Sequence, residues 1–271
     1  MTGGLAAVVL AAGAGTRLRP LTDVLPKALC PVGNVPLVDL AVERARALTG
    51  DIAVNVHAGR ALMEQHLAGR VHLSVEEPVA LGTAGALGRL REWITGRATL
   101  VVNADAWHRF DLAALVGGWD GRRTRLLVVE DPARGDFGTW RHCGAALMPW
   151  AEVAVLPEAP SGLYEVSWRR LAAEGGLELV PAEGPFFDCG TPPDYLAANL
   201  ASSGGASVVG DGANVDGELV RSVVWPGGRV WAGERLVECV RVGGSMTVPA
   251  GPAAATSAVL GPPGGFGGDR G

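Results

Sequence analysis

Short continuous apolar runs alternate with amphipathic stretches along the first hundred residues, and that alternation restricts the chain to few architectures. Residues 5–11 form an apolar run one strand long, suited to burial on both faces, before glycines interrupt it. A loop rich in Gly, Pro and Thr follows. Pro36 then stands at the first turn of a helix through Leu48, with Val38, Val42, Ala45 and Leu48 on one face and Gly50 as its stop. Residues 52–56 read as a strand, 61–67 as a helix and 71–75 as a strand. Thr83 is placed to cap a helix over 84–94, and 99–102 is a strand ending at Asn103 and Asp105. Less regular segments give a strand at 125–129, a helix at 164–173 and a last helix at 192–200. This order predicts an α/β fold over residues 1–201: a Rossmann-like mixed, mainly parallel sheet with helices on both faces.

The pattern changes near Val208. Val209, Val215, Val223, Val230, Leu236 and Val242 recur at intervals of about six to eight, with glycines between them. Such spacing predicts a short left-handed β-helix over residues 206–248, each side placing one aliphatic residue inward. It is too brief to stand alone, but it offers a surface for pairing with a second copy. Residues 249–271 are dominated by Pro, Gly and Ala and are expected to be disordered.

Composition excludes several classes. With 48% hydrophobic and 19% charged residues, a packed core is available. A net charge of −5 argues against a broad nucleic-acid surface. No stretch approaches the ~20 apolar residues of a membrane span, and the apolar start lacks the cationic region of a secretory signal. Cys30, Cys143, Cys189 and Cys239 form neither a CxxC pair nor a Cys/His cluster, so a reduced cytoplasmic protein is expected.

The loop after the first apolar run, LAAGAGTRLRPLT followed by Pro26-Lys27, is the most informative segment. Glycines directly after a buried strand let backbone N–H groups approach an anion, Thr16 adds a hydroxyl, and Arg17 adds a planar fork suited to phosphate. Walker A would need Gly-Lys-Ser/Thr, and the dinucleotide fingerprint needs a glycine where Leu18 stands, so a nicotinamide enzyme is disfavoured. Lys27 is the one lysine among 23 basic residues. A compact ammonium kept at that single position points to a contact that a guanidinium would not fit.

These residues are similar to the signature of the sugar-1-phosphate nucleotidyltransferases, and three further segments resemble that family in the same order. They are SVEEPVALGTAGA from Ser74, VVNAD ending at Asp105, and FDCGTP from Phe187. The resemblance implies attack by a sugar 1-phosphate oxygen on the α-phosphorus of a nucleoside triphosphate. A phosphate monoester has a second pKa near 6, so that nucleophile is ionised without a protein base. Catalysis should then rest on positioning and cations.

By the same resemblance, Leu10, Ala11, Gly13, Gly15 and Thr16 line the nucleotide, Arg17 supports the leaving pyrophosphate, and Lys27 contacts phosphate near the reacting centre. Asp105 and Asp188 would hold Mg²⁺. Gly82 and Thr83 would pack beside the base, with Glu77 (or Glu76) reading its edge. Gly144 and Glu165 are candidates for the sugar. A carboxylate accepting from adjacent N–H donors favours GTP, with UTP next. The family's Glu-Lys-Pro is replaced by Glu130-Asp131-Pro132, leaving Arg134 or Arg141 as substitutes for the absent sugar-phosphate lysine. That departure disfavours glucose-type enzymes and suits relatives acting on mannose-, heptose- or N-acetylmuramate-1-phosphate. His57 reads as structural. The competing reading is a catalytically silent nucleotide-sugar sensor. An acyltransferase would need a histidine in the glycine-rich segment, and the sequence has none beyond His142.

Overall fold

The computed structural model describes residues 4–251. Nine strands and four principal helices carry the argument. The strands are β1 (Leu5–Leu10), β2 (Ile52–Val56), β3 (His72–Val75), β4 (Ala98–Asn103), β5 (Ala106–His108), β6 (Thr124–Glu130), β7 (Trp140–Met148), β8 (Leu177–Pro181) and β9 (Phe186–Asp188). The helices are α1 (Leu37–Arg46), α2 (Arg60–Leu67), α3 (Gly82–Arg89) and α4 (Pro192–Ser202). Seven strands form one sheet in the order β8-β6-β7-β4-β1-β2-β3, in which only β7 runs against its neighbours.

Burial on both faces explains the unbroken apolar runs. Ala7 and Val9 of β1 face the α1 and α2 side together with Val54 and Val102, while Val8, Ala53 and Val101 face Leu87, Leu90 and Trp168. A strand clothed on both sides has no polar face to alternate with. The chain leaves β1 toward β2 on one side and returns as β4 on the other, so the carboxyl ends of β1 and β4 flank a topological switch point, where open α/β sheets bind ligands. Parallel register sets Asn55, Leu10 and Asn103 level with one another there.

Several local expectations are corrected. Thr83 does not cap a helix: α3 begins at Gly82, breaks at Leu90 and resumes as a separate turn, Arg91–Ile94. Pro36 precedes α1 as its cap residue and does not lie within it. The helix expected at 164–173 is a π-helical turn, Tyr164–Trp168, continuing into Arg169–Glu174. β7 and β8 were not expected; the small residues Gly144, Ala145 and Ala146 of β7 have little strand preference, and pairing with β4 and β6 imposes the conformation.

The C-terminal strands fit a β-helix fragment. Val208, Val223 and Val240 stack in parallel register, as do Asn214 with Arg229 and Leu219 with Leu236. Val223, Val230, Leu236 and Val240 are buried, but Val209 is 42% exposed and its neighbour Val208 takes the inward place. The fragment shares one core with the α/β domain, where Leu18, Leu21, Cys30 and Tyr195 pack with Val223, Trp225 and Val240. Pro249 ends a strand antiparallel to Cys239–Val242 and Ala250 is buried, which corrects the expected disorder at its start. Residues 252–271 lie outside the described residues. No helix among the described residues is long and apolar enough to cross a membrane.

Candidate active site

The glycine loop leaves β1 at the switch point. Gly15 has φ +63°, and a Cβ there would stand 2.8 Å from Lys27 Cβ and 2.9 Å from Thr22 Cγ2. Only glycine meets both demands. Thr22 Oγ1 donates to Gly15 O at 3.0 Å and closes the loop over the lysine. Gly13 is exposed, and a Cβ there would meet nothing within 4 Å. Ala11 differs from its expected role in one respect: its N–H is already donated to Asn55 Oδ1 at 2.7 Å.

Lys27 begins a 3₁₀ turn, Lys27–Leu29, and is 8% exposed. Its Nζ lies 2.5 Å from Asp105 Oδ2 and 3.6 Å from Asp188 Oδ1. Burial opposes the ammonium's charge, but Asp105, by charge and hydrogen bond, and Asp188 more than offset it, so the pKa of Lys27 is raised above its usual 10.5. Arg17 Nη2 stands 3.8 Å from Asp188 Oδ2 with its side chain 70% exposed. The two carboxylates, far apart in sequence, meet through a short ladder: β9 pairs antiparallel with β5, setting Asp188 opposite Ala106, and Cys189 N donates to Asp105 O at 3.0 Å. Arg44 on α1 secures that ladder by donating Nη2–H to Ala106 O at 2.8 Å, and burial lowers its pKa to about 10.

The carboxylate pair fits a hard divalent cation. Two half-exposed oxygen donors converge beside the glycine loop, the usual protein share of an Mg²⁺ shell completed by substrate phosphates. Among the described residues no cluster of three or more His, Cys, Asp or Glu gathers to make an all-protein cage.

A cavity of about 200 Å³ opens beside this centre, with Leu10, Gly13, Asn55, Gly82, Asn103 and Asp105 in its walls. Behind it runs a buried chain of hydrogen bonds. Asn55 Nδ2 donates to Glu76 Oε1 at 2.7 Å, and Leu81 N donates to Glu76 Oε2 at 2.7 Å. Asn55 and Glu76 thereby tie the glycine loop to the glycine-rich α3; losing Glu76 would strand two buried donors, at ~1–3 kcal/mol each. Neither role was legible beforehand, although an asparagine within the apolar run IAVNV was a signal.

The neighbouring Glu77, expected beside the base, is exposed, lies 2.5 Å from Arg60 Nη1 and is not among the residues lining the cavity. Thr83 Oγ1 accepts from Leu163 N at 2.8 Å. Gly82 has φ +70°, and a Cβ there would reach 2.5 Å from Ser161 O, so its smallness serves chain packing as well as the cavity. Gly144 is buried against Ala106 and Asn103, behind the cavity wall. Glu165 is exposed on the π-helical turn with its carboxylate folded over Gly162. Arg141 pairs with Asp131 at 3.4 Å and lies over the Phe186 ring at 4.8 Å; Arg134 is exposed. His57 Nδ1 is hydrogen-bonded to Glu76 O at 2.8 Å, a structural contact. Burial lowers the pKa of His108 to about 3 and that of His142 to about 4, so both are neutral at pH 7. All four cysteines are buried and unpaired, and burial raises Cys30 and Cys143 to about 12, which rules them out as nucleophiles.

A glycine loop at the switch point of a mixed sheet, with paired carboxylates and cations beside it, is the class of arrangement by which open α/β sheets bind ligands, and its charges suit a phosphate-bearing one. Comparison with known proteins agrees. The family model described as nucleotidyl transferase matches residues 6–138. N-acetylmuramate alpha-1-phosphate uridylyltransferase of Caulobacter vibrioides is 31% identical over 229 residues, covering 71% of this chain and 94% of that one. A mannose-1-phosphate guanyltransferase of Aspergillus fumigatus is 41% identical over 228 residues, covering 70% of this chain and 62% of its own longer sequence. The solved UDP-glucose pyrophosphorylase of Acinetobacter baumanii shares the fold, with a TM-score of 0.58 at 17% identity over 73% of this chain and 93% of that one. The chain belongs to the sugar-1-phosphate nucleotidyltransferase family and is an enzyme of that class.

Proposed function

We propose that this enzyme transfers a nucleoside monophosphate, that of UTP first and GTP second, to a sugar 1-phosphate of the N-acetylmuramate or mannose type, releasing pyrophosphate. The observation that carries the reading is the convergence of Asp105 and Asp188 on Lys27 beside the Gly13–Thr16 loop. The sequence favoured GTP through Glu77. With that carboxylate paired to Arg60, the argument lapses, and the near-complete coverage of the uridylyltransferase relative supports UTP.

A divalent cation held by Asp105 and Asp188 would supply charge neutralisation along the triphosphate. The protein's own groups do the rest. The loop from Gly13 to Thr16 presents backbone to the phosphates, and Lys27 holds the carboxylates and faces the reacting phosphate. Arg17, exposed and loosely held, meets the charge that develops on departing pyrophosphate. No general base is required. The sensor reading finds no support among the relatives, and Arg17, Lys27, Asp105 and Asp188 are all present.

Pyrophosphate release from four NTPs against N-acetylmuramate-, mannose-, heptose- and glucose-1-phosphate tests the proposal. UTP with one of the first two should dominate, chelation should abolish release and Mg²⁺ restore it. Release that ignores chelation, or that no sugar 1-phosphate stimulates, rejects it. Gly13→Ala gives a second check. The new methyl enters open space, so Tm should stay within about 2 °C of the parent, while crowding of the phosphates raises the nucleotide KM about tenfold. An unchanged KM would move the triphosphate off this loop.

A further inference from the structure

The β-helix fragment is tied by hydrogen bonds to the segment that carries Lys27. Trp225, 3% exposed, donates Nε1–H to the Tyr195 hydroxyl at 3.0 Å. Tyr195, fully buried on α4, donates that hydroxyl to Pro31 O. Pro31 directly follows the lysine turn, which closes through Cys30 N donating to Lys27 O at 3.1 Å. Two further ties flank this line. Asn34 Nδ2 donates to Val209 O at 2.8 Å, and Gly33 N donates to Asn199 Oδ1 at 3.1 Å. The apolar core around them includes Leu18, one residue beyond Arg17. Burial raises the Tyr195 hydroxyl well above its ordinary pKa, so it stays a donor throughout the working range.

We propose that Trp225 and Tyr195 are positioning residues for Lys27, and that the first coil of the β-helix fragment braces the lysine turn so that Nζ reaches both Asp105 and Asp188. A 3₁₀ turn of three residues has little rigidity of its own. Its geometry must come from what holds its ends, and Cys30, which closes it, shares a core with Val223, Trp225 and Val240 of the C-terminal fragment. Small displacements at a reacting centre are costly, so the brace should be visible in turnover. The kinetic consequence rests on the nucleotidyl-transfer reading; the structural consequence does not.

Tyr195→Phe and Trp225→Phe in the full chain test the brace, with Leu236→Ala as control. Leu236 belongs to a separate small cluster of the fragment with Val224, Val230 and Cys239, so its loss weakens the fragment without touching the relay. Tyr195→Phe should lower kcat about tenfold and leave the nucleotide KM within about twofold, while Leu236→Ala keeps the parental kcat. A second readout needs no substrate. Because Lys27 is the sole lysine, amine acylation followed by peptide mass reports on it alone apart from the amino terminus. Tyr195→Phe and Trp225→Phe should acylate at Lys27 about tenfold faster than the parent, and Leu236→Ala at the parental rate. Parental labelling in Tyr195→Phe, or equal acceleration by Leu236→Ala, overturns the brace. Should Tyr195→Phe fail to fold, Trp225→Phe, which leaves the hydroxyl on Pro31 O, decides it by the same labelling. A parent that turns over no sugar 1-phosphate sinks the functional reading alone, because labelling still judges the brace.

Discussion

Lys27→Met is expected to lower kcat by about 10²–10³, the usual loss when one preorganised charge contact is removed from a reacting phosphate or acyl centre. Methionine keeps an unbranched stem and fills most of the same buried space, so the loss reports chiefly charge. The variant should also unfold at a lower temperature, because Asp105 and Asp188 would face each other without the ammonium that now lies 2.5 and 3.6 Å from them. The sign with pH follows from the raised pKa of Lys27. A group whose folded pKa exceeds its unfolded value stabilises fully below the unfolded pKa, here 10.5, and that contribution disappears as pH climbs through the higher folded value. The gap in Tm between parent and Lys27→Met should therefore be widest below pH 10.5 and narrow above it. Added Mg²⁺ should raise the Tm of the variant more than that of the parent, since a cation between the two carboxylates replaces the missing charge. Thermal melts from pH 6 to 11 with and without Mg²⁺ measure both effects; a gap that widens with alkalinity would exclude this account of the lysine.

Arg17→Ala should also lose about 10²–10³ in kcat, but with no change in stability. The side chain is 70% exposed and its one ion pair among the described residues, to Asp188, spans 3.8 Å, so the folded state owes it almost nothing. The contrast with Lys27 is the point: one cation is built into the fold and the other is held loosely on the surface, where the proposed mechanism needs it free. Steady-state kinetics on the purified variant decides the matter, and a kcat within about threefold of the parent would take Arg17 out of pyrophosphate departure.

Most of the α/β half was legible because its signals are local. The apolar runs that became β1, β2 and β4 are buried on both faces and therefore continuous in sequence. The glycine loop was legible for a similar reason, since Gly15 answers to its own φ and to Lys27 and Thr22 a few residues away. β7 was not legible. Its Gly-Ala-Ala core takes an extended form because β4 and β6 bind it on either side, and those strands are distant in sequence. The adjacent glutamates show the same limit. Glu76 and Glu77 are chemically identical, yet one is sealed under Asn55 and Leu81 and the other is paired with Arg60 on the surface.

The sequence by itself determined the α/β plan, the glycine loop and the glycine-spaced coils at the end, all of which depend on residue type and near-neighbour spacing, while its resemblance to a known family placed Lys27, Asp105 and Asp188 in one motif set. Only the tertiary structure decided that the two aspartates share one ammonium, that Glu77 pairs with Arg60, and that the C-terminal coils pack into the core that holds Cys30, the residue closing the lysine turn. Those outcomes depend on which distant segments pair, as β5 does with β9, and a strand's pairing partner is chosen by the packing of the whole sheet and not by the strand's own residues.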